Sequence, residues 1–504
     1  MREQANVEMT YSGQEVAIRE GQMELSVVVK MRFAMPAQNH QLPAILEEYS
    51  SILGQQFKRQ IYKQAMEGAD EELLREKMAA RDGGLVRRGK KPYRVKTRFG
   101  EAIIDRNRVS MRNGRTEIPA HYAWETPQSV YITPGLKRTI CDLVIKESVS
   151  QAVAEIEKQA GWPSLISRGS CLNILHEEGA RLIAAQEQRA QAVFEEVPAA
   201  KILIVDGNRK ESNPAQYMTY DFGYGSEEEE LMGGRVIWSW ERRGEMGEGA
   251  LIYYEKEQRT QAEGLVIVQV DEIKVAAQPH SGRKEIWIYT GVVNANERSY
   301  YLSADSSRKL FYQLGSLLAV LEVHKGEREV YIISDGARWI RSWYERLPIA
   351  RKSMALCWYH LIDKCHELLV TSLGKEGSFR VENQLLSKLW SGDVSGALLE
   401  LDIYKQRVVS QAAFHKLRKY LQERRPFITN YEMRRFSEQF IASTRVEKFN
   451  DWSVASRCKG QSRSWAAAGV KAVAALLCAQ RNGELEQWRN SGKLPGWKEA
   501  GRAN

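Results

Sequence analysis

Residues 264–275 read GLVIVQVDEIKV, and residues 326–340 read GEREVYIISDGARWI. Each is an apolar, β-branched run that predicts a buried strand. Each run meets an acid where the apolar residues stop: Asp271 after VIVQV and Asp335 after VYIIS. An acid at the C-terminal end of a hydrophobic strand is held rigidly by the sheet yet reaches solvent. If the two strands are neighbours, both carboxylates converge at one sheet edge and repel unless a cation neutralises them. The bland alternative is that Asp ends strands because it forms turns well. Asp206-Gly207, closing KILIVDG at 201–207, is a third instance of the pattern and predicts another strand.

Working outward, KEIWIYTGVVNANERSYYLSA (284–304) predicts two more strands joined by a turn at Asn294-Ala295-Asn296. SSRKLFYQLGSLLAVLEVH (306–324) predicts an amphipathic helix, and the acidic, Gly-rich YGSEEEELMGG (224–234) predicts an exposed loop. Three strands, a helix, then a strand ending in Asp is the order of an RNase H-like core, an α/β fold with helices packed on a mixed sheet. A third acid, Glu447, stands at the start of a C-terminal helical region, IASTRVEKFNDWSVASRCKGQSRSWAAAGVKAVAALL, with Asn450 three residues on. Glu447 beside Arg457, Lys459, Arg463 and Trp465 suits a metal ligand next to a phosphate-holding stretch. Thr444-Arg445-Val446-Glu447 also fits a capping box, in which Glu447 only closes the helix start. Asp335 and Glu447 are 112 positions apart (447 − 335), and the stretch between them is largely helical, with Lys416, Arg418, Lys419, Arg424 and Arg425 as candidate grips on DNA or as packing.

Upstream, a helical run is expected over Leu42–Ala80 after a polar leader and one short strand, LSVVVKMRF. A basic cluster follows, with Arg87, Arg88, Lys90 and Lys91 at its start, on two or three antiparallel strands turning at Gly100 and Asn113-Gly114. This is either a solvated face or a platform for phosphates. Three helices are expected from Pro134 onward, the third opening at Ser167, Arg168 and Ser170. They fit a helix-turn-helix that presents Arg168 to DNA, although many three-helix units bind nothing.

The chain has 504 residues and a formal charge of +9, which favours an anionic partner. No stretch approaches the about 18 apolar residues of a membrane span, and the N-terminus lacks the order of a secretory signal. Six scattered cysteines point to a reducing, cytoplasmic setting. Cys357 and His360, then Cys365 and His366, lie too close together for the usual two-knuckle zinc spacing.

VDEIKV, ISDGARWI, LCWYHLIDKCHE and STRVEKFNDWSVASRCKGQSRSW together resemble bacterial insertion-sequence transposases of the DDE superfamily, most of all the ISKra-type and ISLre-type groups. The resemblance spans roughly residues 265–470. It implies Asp271, Asp335 and Glu447 as catalytic metal ligands for Mg2+ or Mn2+, two ions per site, and places Cys357 and His360 on the family's (C/D)xxH element. His360 would contact DNA or pack in the core. The family's small-residue approach to its Glu is replaced here by Ala442-Ser443-Thr444-Arg445. The implied partners are transposon-end and target DNA, with a homo-oligomer assembling at the nucleoid and no membrane. The expected organisation is a helical leader (1–85), a basic β-rich segment (86–132), a three-helix DNA-binding region (133–197), the first part of the core (198–355), a helical insertion (356–440) and a C-terminal core helix with tail (441–504). Two rivals stay open: a domesticated transposase acting as a non-catalytic DNA-binding regulator, and an RNase H-like structure-selective nuclease.

Overall fold

The structure, a computed structural model, describes residues 7–19, 22–33, 42–80, 85–111, 115–124, 130–205, 264–437, 439–460 and 464–503. Asn113-Gly114, Asp206-Gly207, YGSEEEELMGG and Arg463 lie outside the described residues. The chain divides into two compact units, Met1–Glu178 and Gly179–Asn504.

In the first unit, β1 (Val7–Arg19) and β2 (Gln22–Phe33) form an antiparallel hairpin. The expected polar leader is therefore itself a strand. Its apolar residues alternate as Val7, Met9 and Tyr11, then as Val16 and Ile18, and the change of phase coincides with an irregularity between Ser12 and Glu15. Helix α1 spans Leu42–Ala80, as the sequence predicts. β3 (Leu85–Thr97), β4 (Gly100–Met111), β5 (Thr116–Glu117) and β6 (Val130–Ile132) make a mixed sheet of order β5-β4-β3-β6. Tyr62 and Met66 of α1 pack on Tyr93, Val95 and Ile104, and Leu74 packs on Leu85 and Val109. Gly100 turns the chain between β3 and β4 at a φ of 112°. After the short α2 (Pro119–Ala123) come α3 (Pro134–Val144), capped by Thr133, and α4 (Val149–Ala160), which opens on a Ser148/Gln151 capping box and closes at Gly161. Helix α5 (Arg168–Glu196) contains the boundary between the units.

In the second unit, the C-terminal part of α5 is followed by a 3-10 turn over Pro198–Leu203, where a strand was expected at 201–207. Pro198 sets that turn, and Ala200 and Leu203 anchor it in the core. β7 (Leu265–Ala276), β8 (Glu285–Ala295) and β9 (Arg298–Ala304) form an antiparallel meander. Asn296 and Glu297, both at positive φ, make the tight turn between the last two. Helix α6 (Ser307–Val320) leads to β10 (Glu329–Ser334), which lies parallel to β7 on its other side. Helix α7 (Arg338–Arg346) leads to β11 (Lys352–Leu356), parallel to β10. Then come α8 (Trp358–Leu373), α9 (Lys375–Trp390), α10 (Val394–Ile403), α11 (Gln411–Arg424) and α12 (Tyr431–Phe436). Helix α13 (Thr444–Asn450) runs through a π-helical turn, Asp451–Ala455, into α14 (Ser456–Cys458). The long helical region expected from Glu447 is thus broken before α15 (Ala467–Arg481) and α16 (Leu485–Ser491). The expected tail adds β12 (Arg502–Ala503), and the sheet order is β11-β10-β7-β8-β9-β12. The fold is mixed α/β. Val266, Val268, Ile332 and Ile333 fill the sheet core, and Phe311 of α6 stacks on Trp343 of α7 at 4.6 Å between ring centroids. Among the described residues, no helix is long and apolar enough to cross a membrane.

Candidate active site

Strand register brings the two aspartates together. β10 pairs with β7 from Glu329↔Leu265 to Ile333↔Gln269, an offset of 64 (329 − 265), and Asp335 and Asp271 are separated by the same 64 (335 − 271). Carried on past its last pair, the register sets Asp335 level with Asp271. β7 does not end at Asp271, as its sequence predicts, but continues to Ala276 paired with β8, beyond the reach of β10. Asp271 therefore stands where β7 loses β10 as a neighbour. Its own backbone stays in the sheet, opposite Thr290.

Asp335 lies immediately beyond β10, and its Oδ1 accepts the Ala337 N–H at 2.8 Å, which turns the chain toward α7. Gly336 sits at a φ of 72°, and a Cβ there would stand 2.8 Å from Leu356 Cδ1, so the turn requires glycine.

Helix α13 carries Glu447. Its N-cap is Ser443, and the Ser443 side chain makes no capping bond, so the capping box expected from Thr444 to Glu447 is not formed. Gln269 of β7, fully buried, does the capping instead: its Oε1 accepts the N–H groups of Arg445 and Val446 at 3.0 and 3.2 Å. Those are donors that a helix start leaves without partners. At the other end of α13, Asn450 Nδ2 donates to Asp271 Oδ2 at 2.9 Å. Gln269 and Asp271 are two residues apart on one strand, hence on one face. Helix α13 is pinned to that face at both ends.

The electrostatics follow. Burial, reinforced by the charges of Asp335 and Glu447, pushes the Asp271 carboxyl up to about 6 against a backbone hydrogen bond and the His360 charge that favour its ionised form. The neighbouring Glu272 is also held above its ordinary value, by burial first and then by Asp335 and Asp271. Arg424, at the end of α11, is half-buried, stacks on the Tyr420 ring at 4.1 Å and lies within the field of Asp335.

Cys357 caps α8, and its N–H donates to the Ser334 carbonyl at 2.7 Å, which fastens the helix start beside the end of β10. Its buried sulfur accepts the Ser443 N–H at 3.4 Å and lies 3.8 Å from Glu447 Oε1, while the Ser443 hydroxyl donates to that same oxygen. His360 Nδ1 is 3.5 Å from Glu447 Oε1. The Cys357 sulfur beside it, with Glu447 and Asp335, pushes the His360 imidazole up to about 10 against burial. The structure thus gathers Asp271, Asp335, Glu447, Cys357 and His360. Cys365 and His366 take other places: Cys365 is buried in the core, and His366 bonds Glu382 at 3.0 Å.

The residues expected on DNA are placed more variously. Arg457 is 4% exposed and stacks on Trp465 at 4.5 Å. Trp465 is itself buried, and its backbone pairs with the end of β7 through Ala276 O and Gln278 N. Both side chains are packing groups, which corrects their assignment to a DNA surface. The cause is the break after Cys458, which folds the aromatic back onto the sheet. Lys459 is exposed. In the first unit, Arg87 makes a two-pronged bond to Glu71, Lys90 lies 3.7 Å from the same carboxylate, and Arg88 donates to Ser110. Lys91 and Arg168 are exposed. Among the helical cations, Arg418 pairs with Asp402 and Lys419 lies 3.8 Å from Glu423, while Lys416 and Arg425 are exposed.

Sequence reading missed Gln269 and Ser443. Gln269 left a signal, as the one polar residue inside the apolar run LVIVQV, because a buried amide must find partners. Ser443 left none. No known protein family matches the chain, and no curated protein matches it.

Proposed function

We propose that the second unit is an RNase H-like core of a DDE-type transposase, which cuts DNA at element ends and joins them to target DNA. The observation that carries this reading is the register of β10 on β7, which, carried past its last pair, sets Asp335 level with Asp271, with the Glu447 helix pinned to the same face of β7 by Gln269 and Asn450. Asp335 and Glu447 add to burial in raising the proton affinity of Asp271, and the three carboxylates together form a site that favours a cation. Such a set of hard oxygen donors fits Mg2+ or Mn2+. Asp271, Asp335 and Glu447 would hold the ions, which when bound supply activation of the attacking oxygen and stabilisation of the leaving one.

The chain's own residues account for the rest. The sheet holds the two aspartates rigid, and α13 fixes Glu447 against them, so that little ordering is left to the reaction itself. Arg424, in the field of Asp335, is placed to hold a phosphate of the scissile strand. Exposed Lys91, Arg168 and Lys459 supply cations for the DNA backbone, and their contribution would weaken with salt. Synapsis of two element ends calls for a homo-oligomer, acting on the nucleoid in the cytoplasm.

The test is direct. The purified protein is incubated with Mg2+ or Mn2+ and a DNA carrying the ends that flank its coding region. Cleavage at the ends with joining to a second DNA is the expected result, and Asp335→Asn is inactive. Tight DNA binding without cleavage would instead establish a regulator, and cutting of branched or hybrid DNA without end dependence would establish a nuclease.

A further inference from the structure

The carboxylate cluster shares one member with a second group of donors of different chemistry. Cys357 Sγ, one ring nitrogen of His360 and a carboxylate oxygen of Glu447 all lie within 4.8 Å of one another. Two of the separations are 3.8 Å from Sγ to Oε1 and 3.5 Å from Nδ1 to Oε1. Three donors bound to one ion at about 2.0–2.3 Å, with tetrahedral angles, stand about 3.3–3.6 Å apart. The two separations from Glu447 Oε1 are within a few tenths of an ångström of that range, and the third, from sulfur to imidazole, is at most 4.8 Å.

The surroundings resemble the outer shell of a metal centre. Ser443 touches two of the three donors, giving its N–H to the sulfur and its hydroxyl to Glu447 Oε1. Outer-shell bonds of that kind orient ligands and favour the thiolate. The Nδ1 of His360 is buried and makes no hydrogen bond of good geometry. Cys357 is fully buried, whereas the side chains of His360 and Glu447 are 37% and 31% exposed, so the group is open on one side to a fourth ligand. A sulfur and an imidazole favour a borderline-soft ion over Mg2+, which takes oxygen. The geometry points to a Zn2+ site formed by Cys357, His360 and Glu447, open at its fourth position.

Glu447 belongs to both groups, so Zn2+ on the sulfur side draws it away from the aspartates and opposes Mg2+ there. This consequence rests on the strand-transfer reading. The binding of Zn2+ does not.

The experiment uses the full chain, stripped with chelator and titrated with Co2+ as a spectroscopic stand-in for Zn2+. The expected result is a tetrahedral visible spectrum with a sulfur-to-cobalt charge-transfer band, saturating near one equivalent and abolished by Zn2+. Cys357→Ser removes the charge-transfer band, and His360→Ala weakens binding by more than the about 10–100-fold that loss of an outer-shell partner costs. Asp271→Asn and Asp335→Asn keep the band, which separates this site from the carboxylate cluster and from any assay of DNA chemistry. Circular dichroism confirms that each variant is folded. A folded parent with no band at saturating Co2+, or a band that survives both Cys357→Ser and His360→Ala, overturns the proposal. Where strand transfer is measurable, Zn2+ inhibits the parent and Cys357→Ser relieves the inhibition by at least tenfold. Inhibition that Cys357→Ser leaves unchanged overturns the antagonism.

Discussion

Asp271 is the most perturbed acid of the site that bears on function, and its sign can be followed through folding. Its carboxyl is raised from 3.8 to about 6, mainly by burial. The folded chain therefore holds that proton more tightly than the unfolded chain does. The stability that this contributes is complete below about 3.8 and is lost as pH rises through about 6. In chelator, the melting temperature of the parent should fall across that window more steeply than that of Asp271→Asn, and parallel curves would remove the assigned perturbation. Asp335→Asn should reduce strand transfer by at least about 100-fold, equivalent to about 2.7 kcal/mol of barrier. The same substitution should leave the melting temperature equal or higher, because it removes a like charge from a crowded site. A large loss of stability would mean that Asp335 is structural.

At the scale of elements, the contact to probe is the one between β7 and α13. Gln269→Leu leaves the N–H groups of Arg445 and Val446 buried without their acceptor. The expected cost is about 1–3 kcal/mol, read as a lower midpoint in urea. Activity should fall further than stability explains, since Glu447 loses its fixed position. A variant that melts lower yet keeps full turnover at low temperature would show that α13 is held by packing alone. The hairpin β8–β9 and helix α6 are legible locally, since their sequences already spell out alternation, turn and amphipathic face.

For the molecule as a whole, two charge arrangements make predictions. Within the second unit, Arg189 and Glu484 form a buried pair at 2.7 Å, and the Arg189 guanidinium stacks 3.5 Å from the Trp497 centroid. Arg189→Met leaves Glu484 as an uncompensated buried charge and should cost roughly 3–5 kcal/mol, whereas adding Glu484→Leu should recover most of it. A double-mutant cycle of unfolding free energies checks this. Within the first unit, Arg87 is already committed to Glu71, but Lys91 is exposed. Lys91→Ala should lower the slope of log affinity against log salt for DNA by about 0.9, the release expected from one phosphate contact, while Arg87→Ala should change it less. Equal slopes for Lys91→Ala and the parent would take this strand off the DNA surface.

What the sequence determined by itself was local and periodic. The apolar runs at 265–270 and 329–334, the amphipathic helix before the second and the acid closing each run all reflect nearest-neighbour chemistry, which period and composition report directly. Even the 64-residue separation of the aspartates is a sequence quantity, but it acquires meaning only because β10 pairs with β7 at that offset. Tertiary structure alone decided the rest. It placed Glu447 by a glutamine 178 positions away (447 − 269), set Cys357 and Ser443 against that carboxylate, and buried Arg457 and Trp465. Side-chain hydrogen bonds and burial between distant segments follow from how the elements pack, and no window of neighbouring residues contains that information.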